Sequence, residues 1–254
     1  MTQAIFIADL HLTPQRPQAL RLFQFFLQHR ARRAAAVYIL GDLFDTWIGD
    51  DDVNTHYDAV RQALRDFTKS GRACYLMRGN RDFLIGQRFA AATGCILVND
   101  PWRIEINDEP VLLTHGDLLC TDDVAYQKFR RRIRHPIIKW LFLRQSLTRR
   151  QRIAADYRRR GQLATAMKSL EIMDVNQLAV EAMMTAHQVT HLIHGHTHRP
   201  GDYYFTQAQH AIQRRVLADW HDDCGELLVT DAGQWWREII QQPTGAVEYH
   251  QSSE

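Results

Sequence analysis

The sequence predicts an α/β fold in which two β-sheets form a sandwich that is flanked by helices. Short apolar runs, rich in β-branched and aromatic residues, recur along the chain with the length of buried strands. Helical patterns lie between several of these runs, and this alternation is typical of an α/β core. After His198 strand-forming residues dominate, which indicates antiparallel strands that complete a second sheet.

The individual elements follow from the same patterns. The apolar runs predict strands at 4–8, 37–40, 74–77, 111–113 and 191–193. Apolar residues at helical spacing predict helices over 17–33 and 58–67. The last part of the chain predicts strands at 211–220, 226–230 and 236–241.

One long segment interrupts the strand pattern. Asp123 and its neighbours offer a cap and negative charge at the start of a helix, helical periodicity follows, and Pro136 punctuates it. We therefore expect a helical lid at 121–175, inserted into a core formed by 1–120 and 176–254.

The lid segment is strongly basic. Between residues 124 and 160 thirteen lysines and arginines stand against a single acid, Asp156, although the whole chain has a net charge of only +2. A basic block on an acidic body predicts an anionic partner: nucleic acid, phosphate groups or a membrane surface.

The composition restricts where the protein works. Its four cysteines form no CxxC pair, which is typical of free thiols in a reducing compartment. The first residues lack the features of a signal peptide, and the chain contains no apolar run of about 18 residues that could span a membrane. The sequence therefore predicts a soluble cytoplasmic protein.

Five polar clusters directly follow predicted strands. They are Asp9-Leu10-His11, Gly41-Asp42, Gly79-Asn80, His115-Gly116-Asp117 and Gly195-His196-Thr197-His198. Residues just beyond the carboxyl ends of strands in an α/β sheet converge on one crevice. Aspartate, asparagine and histidine are ligands for divalent cations, and Mn²⁺, Fe²⁺, Zn²⁺ and Mg²⁺ all suit this set.

A single strand-end aspartate or histidine is most often a turn or core residue. Five such clusters in order make coincidence a poor explanation. The chain has no GxSxG, no GxxxxGK[ST], no GxGxxG and no HExxH motif. The sequence therefore does not support a serine hydrolase, a P-loop or dinucleotide-binding protein, or a zinc metalloprotease.

The ordered set resembles the signature of the calcineurin-like metallophosphoesterases. The resemblance implies two sheets flanked by helices and a dinuclear metal centre in which Asp42 bridges the metals. The ligands it implies for one metal are Asp9, His11, Asp42 and His198. Those it implies for the other are Asp42, Asn80, His115 and His196.

A narrower resemblance covers nearly the whole chain. Segments 41–51, 79–84, 114–117 and 194–200, with the lid motifs near 121–127 and 172–176, are similar to the UDP-2,3-diacylglucosamine diphosphatase family of lipid A biosynthesis. It implies hydrolysis of the substrate's pyrophosphate to UMP and 2,3-diacylglucosamine 1-phosphate (lipid X). It also implies two Mn²⁺ ions, with an activated water attacking the phosphorus next to uridine.

The same resemblance implies further roles. Arg81 stands where most metallophosphoesterases carry histidine, and it is expected to act in catalysis, with Asp42, by stabilising phosphate charge. The residues implied in substrate binding are Asn80, Arg81, Asp123, Gly161, Thr165, Lys168 and His196. Asp82 and Asp117 are expected to orient other groups rather than to bind metal.

Two interpretations of the apolar stretch 137–144 stay open. It is either a helix packed on the lid's own core or an interfacial element that rests on anionic lipid or receives acyl chains. The resemblance favours the second, with a lipid-linked nucleotide substrate and peripheral attachment to the cytoplasmic face of the inner membrane. It implies no nucleic acid and no obligate protein partner.

Two other functions remain possible from the sequence. A nucleotide or nucleic-acid phosphodiesterase could use the same metal centre, with the basic lid following a nucleic-acid backbone, although no nucleic-acid-binding motif is present. A non-catalytic binding module would be expected to lack some of the ligands, whereas every ligand position is filled.

Overall fold

The computed structural model of the chain describes residues 3–52, 55–166, 172–207 and 209–242. Within them the first sheet has six strands, in the order β11-β10-β1-β2-β3-β4. These strands are β1 (Ala4–Ile7), β2 (Ala36–Leu40), β3 (Ala73–Met77), β4 (Ile96–Val98), β10 (Cys224–Asp231) and β11 (Gln234–Gln241). The first four are parallel, whereas β10 and β11 are antiparallel to their neighbours.

The second sheet has five strands in the order β5-β6-β7-β9-β8. They are β5 (Trp102–Ile106), β6 (Glu109–Thr114), β7 (His191–His194), β8 (Gly201–Gln207) and β9 (His210–Val216). The three inner strands are parallel, and the two edge strands are antiparallel to them.

The two sheets pack on each other through one apolar layer. Phe6 from the first sheet and Leu113 and Ile193 from the second are fully buried in this layer. Phe6 stacks on Tyr38, with ring centroids 4.7 Å apart. Because β1 is buried on both faces, its sequence is continuously apolar rather than alternating.

Helices cover the outer faces of both sheets. Against the first sheet lie α1 (Pro17–Gln28), α2 (Asp58–Lys69) and α3 (Gln87–Thr93), and against the second lies α7 (Gln177–His187). Val180 and Met184 of α7 bury their side chains against Leu192 of the second sheet. The predicted fold class, a two-sheet α/β sandwich flanked by helices, is confirmed.

Some predicted elements differ from the observed ones. The helix predicted over 17–33 ends at Gln28, and a separate 3₁₀ turn follows at Ala31–Arg33. The strand predicted at 211–220 ends at Val216, and the chain then leaves the second sheet, since the amide of Trp220 donates to the carbonyl of Asp9 (3.2 Å) after β1. The last two strands do not complete the second sheet. They extend the first one, because β10 pairs with β1, which would otherwise be an edge.

Three helices lie in the predicted lid: α4 (Val124–Arg134), α5 (Pro136–Leu143) and α6 (Leu147–Ala166). Asp123 caps α4 through a hydrogen bond from the backbone amide of Tyr126 (3.0 Å), and Pro136 begins α5. Every side chain of α4 and α5 is at least partly exposed. These two helices therefore do not build a buried core of their own.

Ion pairs join the lid helices to the core. Arg150 of α6 is almost fully buried and donates to the carbonyl of Ile48 (2.7 Å) and to the Asp51 carboxylate. Arg130 of α4 donates to Asp117 (2.6 Å). In the described part of the chain, none of the helices is long and apolar enough to cross a membrane.

The layer beneath α1 should dominate the stability of the core. Phe26 is fully buried, and its ring centroid lies 5.6 Å from that of Trp220. Replacing Phe26 by alanine leaves a cavity, so the free energy of unfolding should fall by about 3–5 kcal/mol. Urea denaturation measures this change. Ile239→Ala, at a side chain that is 59% exposed, is the control and should change it by less than about 0.5 kcal/mol. Equal losses in the two variants would contradict the assignment.

Candidate metal and phosphate site

The five polar clusters meet at one edge of the sandwich. Each cluster begins one or two residues after the end of a strand: β1, β2 and β3 of the first sheet, and β6 and β7 of the second. Ligand atoms of Asp9, His11 and His198 lie within 4.8 Å of one another, and so do those of Asp9, Asp42 and His115. The carboxyl ends of the parallel strands therefore bring together residues that lie far apart in sequence.

The distances place all seven candidate ligands around one small space. Asp9 Oδ1 lies 3.6 Å from His198 Nε2 and 3.8 Å from His11 Nε2. Asp42 Oδ1 lies 3.8 Å from His115 Nε2, and the same ring nitrogen lies 2.8 Å from Asn80 Oδ1. The remaining candidate, His196, follows β7, and its ring centroid lies 5.0 Å from that of His115.

Five of these seven residues have left-handed backbone conformations. The positive φ angles are 54° at Asp9, 47° at His11, 53° at Asp42, 70° at His196 and 53° at His198. Such conformations are uncommon outside glycine and cost on the order of 1 kcal/mol or more each. They turn the chain sharply after each strand, which directs the side chains into the shared space.

Hydrogen bonds between the loops hold these conformations. The amide of Asp9 donates to the carbonyl of Gly41 (3.1 Å), and the amide of His11 donates to the carbonyl of Asp42 (3.0 Å). Asp9 Oδ2 accepts from the amide of His196 (2.7 Å), which joins the two sheets at the site.

Two glycines allow the loops to approach each other. A Cβ atom on Gly79 would overlap the carboxylate and the backbone nitrogen of Asp42. A Cβ atom on Gly195 would overlap the carboxylate of Asp9. Any larger residue at either position would displace a candidate ligand.

Buried groups around the ligands fix their orientation. The Nδ1 atom of His115 lies 2.9 Å from the carbonyl of Leu40, which turns Nε2 towards the site. Asp82 is fully buried and accepts from the amides of Leu43 and Gly79, both at 2.8 Å. Its role is thus to hold two of the loops together.

Two carboxylates that contact the site residues were not predicted from the sequence. The carboxylate of Asp219 lies 3.5 Å from His198 Nδ1, but it comes from a loop with no motif or strand end that could have indicated it. Asp45 accepts from Arg81, with Nη1 to Oδ1 at 2.8 Å. It lies only three residues after Asp42, so its position was a usable signal. Arg81 does not pair with Asp82, whose carboxylate is occupied by backbone amides.

The buried carboxylates at the site favour the binding of a cation. Burial, together with the negative charges of Asp82 and Asp9, raises the pKa of Asp42 to about 7. Burial lowers the pKa of His115, but the surrounding carboxylates, Asp42 first, outweigh it and raise that pKa to about 9. Buried carboxylates this close together need positive charge to remain ionised.

Two observations show that the residues fit divalent cations. Burial lowers the pKa of His11 to about 3 and that of His196 to about 4, so both rings stay neutral and keep a lone pair for a metal. Asp9 Oδ1 and His11 Nδ1 are buried and have no hydrogen-bond partner within the described residues. Unpaired buried oxygen and imidazole donors that face one another are typical of a metal site.

Comparison with known proteins identifies the family of the chain. The family model described as calcineurin-like phosphoesterase matches residues 3–200. The chain belongs to the calcineurin-like phosphoesterase family. This phosphoesterase is 45% identical over 230 residues to a protein of Aromatoleum aromaticum named UDP-2,3-diacylglucosamine hydrolase, a match that covers 91% of the chain and 94% of the relative.

Two further relatives carry the same name. A protein of Pseudomonas entomophila is 46% identical over 229 residues, which is 90% of this phosphoesterase and 95% of the relative. A protein of Azotobacter vinelandii is 43% identical over 229 residues, and this match also covers 90% of the chain and 95% of the relative. The similarity thus extends well beyond the metal-ligand motifs.

A large cavity of about 1210 Å³ joins the candidate metal centre of the phosphoesterase to its lid helices. The polar wall includes His11, Asp42, Asn80, Arg81 and His196. Lid residues on the apolar wall include Phe129, Ile133, Ile138, Phe142 and Ile153. One compartment therefore combines phosphate-binding chemistry with apolar surface.

The remaining predicted substrate contacts have different positions. Asp123 lines the cavity and also caps α4. Gly161 lines the cavity from α6, and a Cβ atom there would meet nothing within 4 Å. Thr165 belongs to α6, but its side chain and the whole of Lys168 lie outside the described residues.

The close approach at Gly79 predicts a metal-binding defect. In Gly79→Ala the new methyl group would displace the Asp42 carboxylate, so the purified protein should lose most of its bound divalent metal while keeping its circular dichroism spectrum. Metal analysis after loading with Mn²⁺ and gel filtration measures this loss. Gly161→Ala, with open space around the added atom, is the control for metal content. Full metal occupancy in Gly79→Ala would show that Asp42 is not a ligand.

Proposed function

We propose that this phosphoesterase hydrolyses the pyrophosphate bond of UDP-2,3-diacylglucosamine to UMP and 2,3-diacylglucosamine 1-phosphate, a step of lipid A biosynthesis. The observation that carries the proposal is the single cavity that joins a carboxylate–histidine centre to apolar lid walls. A diphosphate with two acyl chains has matching chemistry. The name shared by relatives across about 90% of the chain supports the same substrate.

The proposed cofactors are two Mn²⁺ ions. Asp9, His11, Asp42 and His198 would hold one, and Asp42, Asn80, His115 and His196 would hold the other. When bound, two such cations lower the pKa of a water molecule and offset the charge of the phosphate. The unpaired oxygen of Asp9 and the neutral ring of His11 support this ligand set.

Arg81 and its neighbours would bind the phosphates. The Arg81 guanidinium lines the cavity with its Nε atom 3.7 Å from Asp42 Oδ2, so it lies beside the proposed bridging carboxylate. A guanidinium donates to phosphate oxygens in a matching planar geometry and stabilises the charge that develops on them. Asn80 and His196 line the same wall and would contact the same phosphate.

The lid would receive the rest of the substrate. Acyl chains would pack on Phe129, Ile133 and Phe142, and each buried methylene contributes about 0.8 kcal/mol. The lid residues proposed to contact the substrate are Asp123, Gly161, Thr165 and Lys168.

The outer face of the lid would attach the protein to the cytoplasmic face of the inner membrane. Trp140 of α5 is 55% exposed, and the guanidinium of Arg144 lies 4.8 Å from its ring. Ile137 is 60% exposed on the same helix. Apolar side chains bordered by positive charge are suited to an anionic lipid surface.

Acyl chains should decide substrate selection. We expect Mn²⁺-loaded protein to release UMP from UDP-2,3-diacylglucosamine with a kcat/KM far above that for UDP-glucosamine, because only the acylated substrate fills the apolar wall. Separation of UMP and the lipid phosphate measures both rates. An oligonucleotide serves as the third substrate. Equal kcat/KM with and without acyl chains, or efficient cleavage of the oligonucleotide, would favour the phosphodiesterase alternative.

Two aromatic residues of α5 separate substrate binding from membrane attachment. Phe142 lines the cavity, whereas Trp140 is exposed, so Phe142→Ser should raise KM for the acylated substrate and Trp140→Ser should weaken binding to anionic vesicles. Kinetics in mixed micelles and vesicle flotation measure the two effects. The assignment fails if both variants lose only vesicle binding.

The position of attack can be tested with isotopic water. If water attacks the phosphorus next to uridine, hydrolysis in ¹⁸O-water should place the label in UMP, because the oxygen of the water stays on the phosphorus that it attacks while the bridging oxygen leaves with the sugar phosphate. Mass spectrometry of both products measures the label. Label in the lipid phosphate alone would reverse the assignment.

A further inference from the structure

Asp45 is a buried carboxylate between two arginines. Its residue is only 6% exposed, and its two oxygens accept from different partners. Oδ1 accepts from Arg81 Nη1 (2.8 Å), and Oδ2 forms an ion pair with Arg158 of α6. All three side chains line the large cavity.

We propose that Asp45 is the positioning residue for Arg81. Its carboxylate holds the Arg81 guanidinium beside Asp42 and holds Arg158 of the lid next to it, so that two positive charges face the substrate diphosphate together. This inference rests on the proposed function, because it assigns the two arginines to a diphosphate.

The charges around Arg81 explain why it needs a second anion. Its guanidinium lies between two carboxylates, Asp42 and Asp45. Asp42 belongs to the proposed ligand set, so cations bound there would neutralise its charge and repel a neighbouring guanidinium. Asp45 lies outside that set and keeps its attraction for Arg81.

The second contact links Arg81 to the lid. Arg158 lies in α6, and its side chain is 42% exposed, so Asp45 is the buried end of this ion pair. An arginine with a fixed partner loses less conformational entropy when it binds a phosphate than one that is free to move. The placement of α6 and the placement of Arg81 therefore depend on the same carboxylate.

Another lid–core ion pair offers a matched comparison. Arg150, also in α6, pairs with Asp51 and with the carbonyl of Ile48. Asp51→Asn weakens the docking of the same helix without touching Arg81. A residue that only docks the lid should behave like Asp51, whereas a residue that positions Arg81 should not.

The first test is a double-mutant cycle on the Mn²⁺-loaded protein. Arg81→Ala should lower kcat by roughly 10²–10³-fold. Asp45→Asn should lower kcat by about 10-fold to 100-fold, the scale for a misplaced catalytic group, with unchanged Mn²⁺ content. The further loss caused by Asp45→Asn should be much smaller in the Arg81→Ala background than in the parent protein, because the part that acts through Arg81 is already gone and only the contact with Arg158 remains to be lost. Losses that multiply would overturn the proposal.

The second test is chemical rescue. Added guanidinium ions should restore part of the activity of Arg81→Ala, because the Asp45 carboxylate can hold a free guanidinium in the vacated position. The same ions should fail to rescue the Arg81→Ala/Asp45→Asn double variant. Equal rescue with and without the carboxylate would show that Asp45 does not bind the group that stabilises the reaction.

Asp51→Asn is the control for both tests. Its effect should multiply with that of Arg81→Ala, and it should leave guanidinium rescue intact. If Asp51→Asn also lowered kcat much less in the Arg81→Ala background than in the parent protein, the coupling would come from lid docking in general. That result would overturn the proposal.

Each cycle is measured with two substrates, UDP-2,3-diacylglucosamine and bis(4-nitrophenyl) phosphate. If the parent protein hydrolyses only the second and the coupling appears there, the proposed function fails while the role of Asp45 stands. If the parent protein turns over the acylated substrate and no coupling appears, the proposed function stands while the role of Asp45 fails.

Discussion

The structure depends on the burial of several carboxylates where two sheets meet. Asp9 and Asp42 follow neighbouring strands of one sheet, and the buried Asp82 joins the loop of Asp42 to the loop after β3. Buried negative charge at this density is unfavourable unless cations or hydrogen-bond donors surround it. The left-handed residues, the close glycine contacts and the rings of His11 and His115 all serve to bring donors or metal ligands to that charge.

The same constraint explains why the core and the lid have different structural properties. The core supplies rigid strand ends, which hold the candidate ligands with backbone hydrogen bonds between loops. The lid supplies helices with partly exposed apolar side chains, attached to the core by arginine–aspartate pairs at Asp51, Asp117 and Asp45. Metal-dependent hydrolysis requires the first property, and the acyl chains of the proposed substrate would require the second.

Sequence patterns predicted the two-sheet fold and the grouping of the seven candidate ligands, because a strand end marks each of them. The roles of these residues as metal ligands, and the lid boundaries at 121 and 175, stay predictions. Short or half-exposed elements were missed: α3, β4 and β8 lack a clear apolar period. In β5, apolar and charged residues alternate over Trp102–Ile106, so this strand could have been predicted. Asp219 was missed because its contact with His198 depends on a loop path that no local pattern encodes. The pairing of β10 with β1 was likewise not predicted, because strand order depends on contacts between residues that lie far apart in the sequence.

The partial exposure of every side chain in α4 and α5 has a practical consequence. These helices present apolar surface to water, and the detergents used to disperse the proposed lipid substrate carry alkyl chains that resemble its acyl chains. Detergent monomers would therefore occupy the lid wall as competitors. Apparent affinities and inhibition constants would then vary with detergent type and concentration, and comparisons among inhibitors would hold only at one fixed surfactant composition.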